Sequence, residues 1–382
     1  MPDRAATHTP AYLASPEEAD LALAAIEDVP SLAVDTEGAS FHRFVDRIYL
    51  LQLSTRTLTA ILDPLTMGEP KRLRRLLEDD RVEVVFHDAD YDLRLLHQDY
   101  GWQVSHIFDT RIAAQLLGIR AFGLAALLER YFGIKLEKKH QRADWSMRPL
   151  PQDMLDYAAQ DTMYLLDLRD RMRADLEAAG RWEWASEEFQ RLEGTHWGVD
   201  SDGNGYMRIK GARDLNRRQL ALFRELAAWR DVVASELDRA TFRVAGNEAL
   251  LEVARQAPRT LDALTAIKGV PRGIATRRGK EVLEAVRRGL EVPDKDLPRF
   301  PRAPRWDRDP DFDARVSRLR AVRESAAERL GLDPGVLVSR ERLETIARRR
   351  PSTMEELLDV PDLRRWQAAE MGTEILRVVA EG

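Results

Sequence analysis

The sequence of 382 residues contains no cysteine. Disulfide frameworks, zinc ribbons, iron–sulfur clusters and thiol catalysis are therefore excluded, and carboxylate, histidine and hydroxyl chemistry remain. The sequence also lacks any apolar run close to the ~20 residues that a membrane-spanning helix needs. Its first residues, Met1 to Glu18, show no basic region followed by an apolar core. We therefore expect a cytoplasmic protein without a membrane partner, in which any bound metal is a hard cation.

Charge is distributed unevenly along the chain. Residues 1–200 carry 23 Lys and Arg against 35 Asp and Glu, a net charge of −12, whereas residues 201–382 carry 36 and 30, a net charge of +6. An acidic first part fits a site that gathers carboxylates around cations, and a basic second part fits a polyanionic partner. Ordinary solvated surface would explain the same asymmetry about equally well.

Short β-rich runs alternate with amphipathic helical patterns over the first ~195 residues, which predicts an α/β domain. The β-rich runs are Leu32–Val34, Ile48–Leu53, Leu58–Leu62 and Val84–Phe86. A polar, glycine-containing stretch at residues 200–205 then has turn chemistry and no apolar period. We therefore place a first domain at residues 1–197 and a linker at residues 198–212.

Beyond this linker the strand signal disappears and the sequence repeats itself without gaps at an offset of 93 residues. Spacings of 3, 4 and 4 mark one helical face in both copies, where Leu226, Trp229, Val233 and Leu237 recur as Leu319, Val322, Ala326 and Leu330. A proline-rich stretch separates the copies. The pattern predicts two all-α domains at residues 213–292 and 311–382, joined by a linker at residues 293–310.

Candidate catalytic residues lie on three separate elements. Asp35 and Glu37 close the first apolar strand, and its two-residue period places both carboxylates on one face. Asp92 enters a helix, and Tyr157 and Asp161 lie four residues apart on one face of a later helix. Taken singly, each pattern has an ordinary explanation: a surface acid pair, a helix-capping acid, and a core tyrosine bonded to an aspartate.

Together, these residues resemble the DEDD exonuclease superfamily in its tyrosine-bearing branch. Flanking runs narrow the resemblance to the ribonuclease D family: Val34-Asp35-Thr36-Glu37, Leu51-Gln52-Leu53, Phe108-Asp109-Thr110, and Asp144-Trp145-Ser146-Met147-Arg148-Pro149-Leu150 preceding Tyr157-Ala158-Ala159. The duplicated helical unit resembles HRDC, a domain named for helicases and ribonuclease D. The resemblance extends from about Tyr12 to Ala380, nearly the whole chain.

The resemblance implies an RNase H-like α/β exonuclease domain with a mixed sheet, followed by two all-α HRDC domains. It implies four metal ligands, Asp35, Glu37, Asp92 and Asp161, which would hold two divalent cations, Mg²⁺ or Mn²⁺. Tyr157 would orient or deprotonate the attacking water. The implied reaction is 3′→5′ hydrolysis that releases nucleoside 5′-monophosphates from a single-stranded RNA end, most plausibly on tRNA precursors, with no obligate protein partner inferred.

Two positions depart from the family pattern. Gly38 follows Glu37 where many relatives carry a bulky aromatic residue, and we expect altered contacts beside the substrate end, with Phe41 as a possible replacement. In the second repeat, Asp362 occupies the position of Gly269, so we expect that repeat to lose a tight glycine turn whose backbone amides face phosphate.

A basic stretch precedes the third motif, and Lys138, Arg142 and Arg148 are candidate contacts to the RNA backbone, although a solvated face is an equal alternative. Two other functions remain open: a 3′→5′ DNA exonuclease of the same fold, and a non-catalytic nucleic-acid-binding protein. The sequence has no P-loop of a helicase motor, and it retains all four acids and the tyrosine. The absence of that motor, together with the tandem helical copies, favours RNA processing over DNA hydrolysis. Retention of the acids and the tyrosine argues against a non-catalytic protein.

Overall fold

A computed structural model describes residues 10–136, 139–198, 204–301 and 309–381. Its first part contains one six-stranded sheet in the order β1-β4-β3-β2-β5-β6. β3 runs antiparallel to both β2 and β4, and the other neighbouring strands are parallel, so the sheet is mixed as expected. The strands are β1 (Ala11–Leu13), β2 (Ser31–Glu37), β3 (Leu50–Ser54), β4 (Thr59–Leu62), β5 (Glu83–Phe86) and β6 (Ile107–Asp109).

Nine helices accompany the sheet in the described part of residues 10–198. Strand β2 has fully buried residues, Leu32, Ala33 and Val34, as expected for an interior strand covered on both faces. α7 packs against β2, β3 and β4, and α8 packs against β2 and β5. The helices are α1 (Pro16–Ala24), α2 (Pro64–Met67), α3 (Lys71–Leu77), α4 (Asp90–Tyr100), α5 (Thr110–Leu116), α6 (Leu124–Phe132), α7 (Gln152–Met163), α8 (Leu165–Ala178) and α9 (Trp182–Leu192).

The second part of the chain is helical, and its two copies keep the offset of 93 residues. A short helix, α10 (Gly205–Arg208), lies inside the expected linker, because Tyr206 is buried in the core of the first copy. The first copy comprises α11 (Arg217–Glu236), α12 (Thr241–Val244), α13 (Asn247–Gln256), α14 (Leu261–Ala266) and α15 (Arg272–Glu291). The second comprises α16 (Phe312–Leu330), α17 (Pro334–Leu337), α18 (Arg340–Arg349), α19 (Met354–Leu358) and α20 (Arg365–Ala380).

The second copy packs on α9 of the nuclease-like part. Trp184 stacks on Trp366 with ring centroids 4.8 Å apart. Glu188 accepts hydrogen bonds from Arg364 Nε at 2.9 Å and Trp366 Nε1 at 3.0 Å. The Glu187 carboxylate accepts from the first backbone N–H groups of α20, at 2.8 and 3.2 Å. Charged hydrogen bonds and an aromatic stack therefore attach the second copy to α9, next to the loop that contains Asp362.

The first copy packs on a different segment, residues 38–47, which follows β2. Arg43 forms an ion pair with Asp238 at 3.0 Å, and the backbone N–H of Ala240 donates to the carbonyl of His42 at 3.2 Å. Phe44 packs against the apolar core of the first copy. Within the described residues, no helix is long and apolar enough to cross a membrane. The cytoplasmic location stays a prediction.

Candidate active site

Three acidic side chains converge where β2 passes under α7. Asp35 and Glu37 project from the same face of β2, and Asp161 projects from α7, which packs on this strand. One carboxylate oxygen from each of the three lies within 4.8 Å of the others. The sequence prediction that these residues meet in space is therefore consistent with the geometry.

Asp92 lies beside this trio but is not part of the group within 4.8 Å. It is 4% exposed, on the first turn of α4, and its Oδ1 accepts hydrogen bonds from the backbone N–H of Thr36, at 3.0 Å, and from the Thr36 hydroxyl. Thr36 separates Asp35 from Glu37 in β2. These bonds fix Asp92 next to the trio through Oδ1.

The carboxylates repel one another in a nearly buried site. Burial and the neighbouring Asp161 raise the pKa of Asp35, and burial followed by three neighbouring carboxylates raises the pKa of Glu37. Burial and Asp92 raise the pKa of Asp161 to about 7. Among the described residues, no Lys or Arg side chain forms an ion pair with the trio or Asp92. Buried oxygen ligands that need positive charge fit a hard divalent cation.

Tyr157 lies one helical turn before Asp161 on α7. Its ring stacks on buried Trp145 at 6.2 Å, and the His140 ring meets it edge-on at 5.7 Å. Burial, followed by the charges of Asp161, Glu37 and Asp35, raises the pKa of its hydroxyl above the usual value. The hydroxyl is therefore neutral at physiological pH, which suits it to orient a water molecule by hydrogen bonding.

Asp35 and Asp161 of the trio line a cleft of about 520 Å³. His87 lines it together with Tyr157, and burial lowers the pKa of His87 to about 4, so this imidazole is neutral. Because the Thr110 hydroxyl donates to the carbonyl of Phe86 at 3.1 Å, it accepts from His87 Nδ1 at 2.9 Å. His87 therefore makes a structural hydrogen bond to Thr110 and also lines the cleft, a position that the local sequence pattern did not indicate.

The predicted basic contacts have three different outcomes. Lys138 lies outside the described residues. Arg142 is exposed, and its guanidinium lies 5.4 Å from the ring centroid of Phe41. Arg148 corrects the prediction, because all five of its N–H donors are used inside the protein. They bond to both oxygens of Asp63 and to the carbonyls of Tyr49, Trp145 and Met147. Arg148 is therefore not a phosphate contact.

The departure at Gly38 also has a structural reason. A Cβ at this position would overlap the hydroxyl of Tyr91, which donates to Asp46. Tyr91, on α4, thus occupies the space where relatives carry a side chain after the acidic pair. Phe41 is three residues further along, and its expected contact beside the substrate end stays a prediction.

Comparisons with known proteins match this architecture. A family model described as 3′-5′ exonuclease matches residues 11–177, and the HRDC model matches residues 219–286 and 312–379. Ribonuclease D of Granulibacter bethesdensis is 31% identical over 91% of this chain and 87% of the relative, and ribonuclease D of Nitrobacter hamburgensis is 30% identical over 92% and 91%. The crystal structure of Escherichia coli RNase D, an exoribonuclease, superposes with a TM-score of 0.75 at 25% identity, covering 98% of this chain and 99% of that one. The chain therefore belongs to the ribonuclease D family and is a 3′→5′ exoribonuclease.

Proposed function

We propose that this exoribonuclease trims the single-stranded 3′ ends of structured RNA precursors such as tRNA and releases nucleoside 5′-monophosphates. The observation that carries the proposal is the convergence of Asp35, Glu37 and Asp161 within 4.8 Å, beside Asp92, in a cleft that Tyr157 lines. Such a cluster supports phosphodiester hydrolysis at a terminus that can enter the cleft.

Two divalent cations, Mg²⁺ or Mn²⁺, would be held by Asp35, Glu37, Asp92 and Asp161, and when bound they supply activation of water and stabilisation of the leaving oxygen. The protein supplies the positions of its own groups. Thr36 fixes one oxygen of Asp92, and Trp145 and His140 hold the Tyr157 ring so that its neutral hydroxyl can orient the attacking water. The neutral His87 offers its Nε2 as a hydrogen-bond acceptor inside the cleft.

Structured RNA as substrate is supported by the helical copies. E. coli RNase D, with the same layout, is described as involved in structured RNA processing. In the first copy, the loop before α15 carries exposed Lys268 and α15 begins with exposed Arg272, whereas the matching loop of the second copy packs on Glu187 and Glu188. The first copy therefore keeps a basic face for phosphates. We propose the domains 1–197, 213–292 and 311–382, and no obligate protein partner.

The test compares hydrolysis of a 3′-extended tRNA with that of single-stranded DNA of matching length, with EDTA, Mg²⁺ or Mn²⁺. We expect stepwise 3′ shortening of the RNA, release of 5′-monophosphates, and no reaction in EDTA. Asp161→Asn and Asp92→Asn should lower the rate by several orders of magnitude while thermal unfolding stays cooperative. Asp156→Asn, exposed on the same helix as Asp161, is the matched control. Full activity of Asp161→Asn, or preferential degradation of DNA, would overturn the proposal.

A further inference from the structure

Two exposed phenylalanines and an arginine form a row at the junction between the nuclease domain and the first HRDC copy. Phe41 is 46% exposed and Phe242 is 52% exposed. Their rings meet edge to face with centroids 6.2 Å apart, and the guanidinium of Arg142 lies 5.4 Å from the Phe41 centroid. We call Phe41, Phe242 and Arg142 the junction row.

The junction row is held by hydrogen bonds that cross between the two domains. Arg243, next to Phe242, donates from Nε to the carbonyl of Phe41 and from Nη2 to Nδ1 of His42, the latter at 3.2 Å. The other ring nitrogen of His42 then carries the proton and donates to the carbonyl of Arg142 at 3.0 Å. His42 and Arg243 therefore fix the backbone of all three members, although their side chains remain open to solvent.

Two short stretches of chain connect the junction row to the active-site cleft. Phe41 follows Glu37 by four residues, and Arg142 directly follows Gln141, which lines the cleft beside Tyr157. Within the described residues, Arg142 forms no ion pair with a carboxylate. A strand of RNA that leaves the cleft on this side thus meets two aromatic rings and a cation that forms no ion pair with any described carboxylate.

We propose that the junction row is a stacking platform for unpaired bases of the RNA strand just upstream of the scissile end. The proposal rests on the proposed function and adds a subsite to it. Aromatic rings and arginine planes bind bases of single strands without regard to sequence, because every base has a π-face, and a positive charge suits the adjoining phosphate. Bases within a duplex are already paired and stacked, so the platform selects for unpaired 3′ ends.

The platform gives the first HRDC copy a direct part in substrate binding, since Phe242 comes from that copy and Phe41 from the nuclease domain. A stacked base is worth about a 5- to 100-fold change in affinity. Because the row lies outside the cleft, its loss should weaken binding and leave the chemical step unchanged.

The test measures equilibrium binding of a single-stranded RNA of about 15 nucleotides in EDTA, where binding is separated from hydrolysis. A series carries one abasic ribose at successive positions from the 3′ end. Wild type should bind one or two members of this series about 5- to 100-fold more weakly than intact RNA. The double variant Phe41→Leu/Phe242→Leu keeps apolar side chains at the junction. It should bind intact RNA as weakly as wild type binds those abasic members, and its affinity should not depend on the abasic position. Phe242→Tyr should retain wild-type binding.

Trp197→Leu, which removes an aromatic side chain that is 38% exposed on the segment after α9, is the matched control and should bind like wild type. Wild-type affinity of the double variant, or an abasic penalty that persists in it, would overturn the platform. A wild-type dimer that the double variant converts to monomers would identify the row as a contact between copies, which also overturns it. A wild type that binds RNA with the abasic penalty in EDTA but hydrolyses none when Mg²⁺ or Mn²⁺ is supplied would refute the proposed function and support the platform.

Discussion

Replacing Arg148 with alanine should destabilise the protein and leave RNA affinity unchanged. The guanidinium forms a bidentate ion pair with Asp63, whose side chain is completely buried, with Nη2 at 2.7 Å from Oδ1. Its remaining donors bond to three backbone carbonyls. The variant would leave a buried carboxylate without its cation, and the Tyr12 hydroxyl would be its main remaining side-chain donor.

The expected loss in the free energy of unfolding depends on how deeply Asp63 and Arg148 are buried. Removing one partner of a buried ion pair costs about 3–5 kcal/mol in the free energy of unfolding. Arg148 is 21% exposed, so water can partly replace it, and we expect a loss of about 3 kcal/mol, or a fall in Tm of about 6–12 °C. Arg74→Ala removes a surface Nε contact to Glu78 at 2.9 Å and should cost less than about 0.5 kcal/mol.

The stabilisation that the Arg148–Asp63 ion pair provides should fall in acid. Burial raises the pKa of Asp63, but hydrogen bonds from Arg148 and Tyr12 outweigh it, and the net pKa lies below the ordinary value. Because the folded pKa is lower than the unfolded one, the ion pair stabilises the fold fully above about pH 4, and this contribution is lost as pH falls through the folded pKa. The free energies of unfolding of wild type and Arg148→Ala, measured in urea, should therefore differ most near neutral pH and converge in acid.

One result would refute the structural role of Arg148. If Arg148→Ala melted at the wild-type temperature while its RNA affinity fell and its salt dependence weakened, Arg148 would contact phosphate and the structural role would be refuted.

Two further variants test the site and the docking of the second copy. Tyr157→Phe should lower kcat by about 10²–10⁴ with KM and Tm nearly unchanged, and wild-type kcat with an unaltered alkaline limb of the pH profile would show that the hydroxyl is only structural. Glu188→Gln weakens the bonds to Arg364 and Trp366 and should speed amide hydrogen exchange in α20 by about 10-fold, as expected for losing about 1–2 kcal/mol of charged hydrogen bonding. Glu183→Gln, exposed on the same helix, is its control, and equal protection of α20 in both variants would contradict the docking role.

Strand and helix periods placed the acids on their elements, and the resemblance to the ribonuclease D family grouped them as a site. Asp35, Glu37 and Asp161 could each be placed on an element from local pattern alone. Arg148 was misassigned, since a basic residue beside an active site has the same local signature whether its partner is a phosphate or an aspartate 85 residues earlier. Strands β1 and β6, of three residues each, were not predicted.

Long-range contacts explain the remaining differences. His140 contacts Tyr157 across 17 positions of sequence, and Glu188 contacts Arg364 across 176, with no periodic signal in either case. The duplication indicated two helical domains, but it did not indicate where they pack on the nuclease domain. Their attachment sites differ because one copy meets the loop after β2 and the other meets α9, and this choice depends on surfaces that form only in the folded chain.

The docking of the second HRDC copy has a consequence for how the chain is made. One continuous apolar cluster contains Phe108 and Phe189 of the nuclease domain together with Ile346 and Ile375 of the second copy. The ribosome finishes α9 about 190 residues before the end of the chain, which at about 5–20 residues per second is a delay of about 10–40 s. During that interval the partner of Trp184 has not been made, and the nascent nuclease domain presents an uncovered apolar face. A protein truncated before the second copy would never cover this apolar face and would therefore be prone to aggregate.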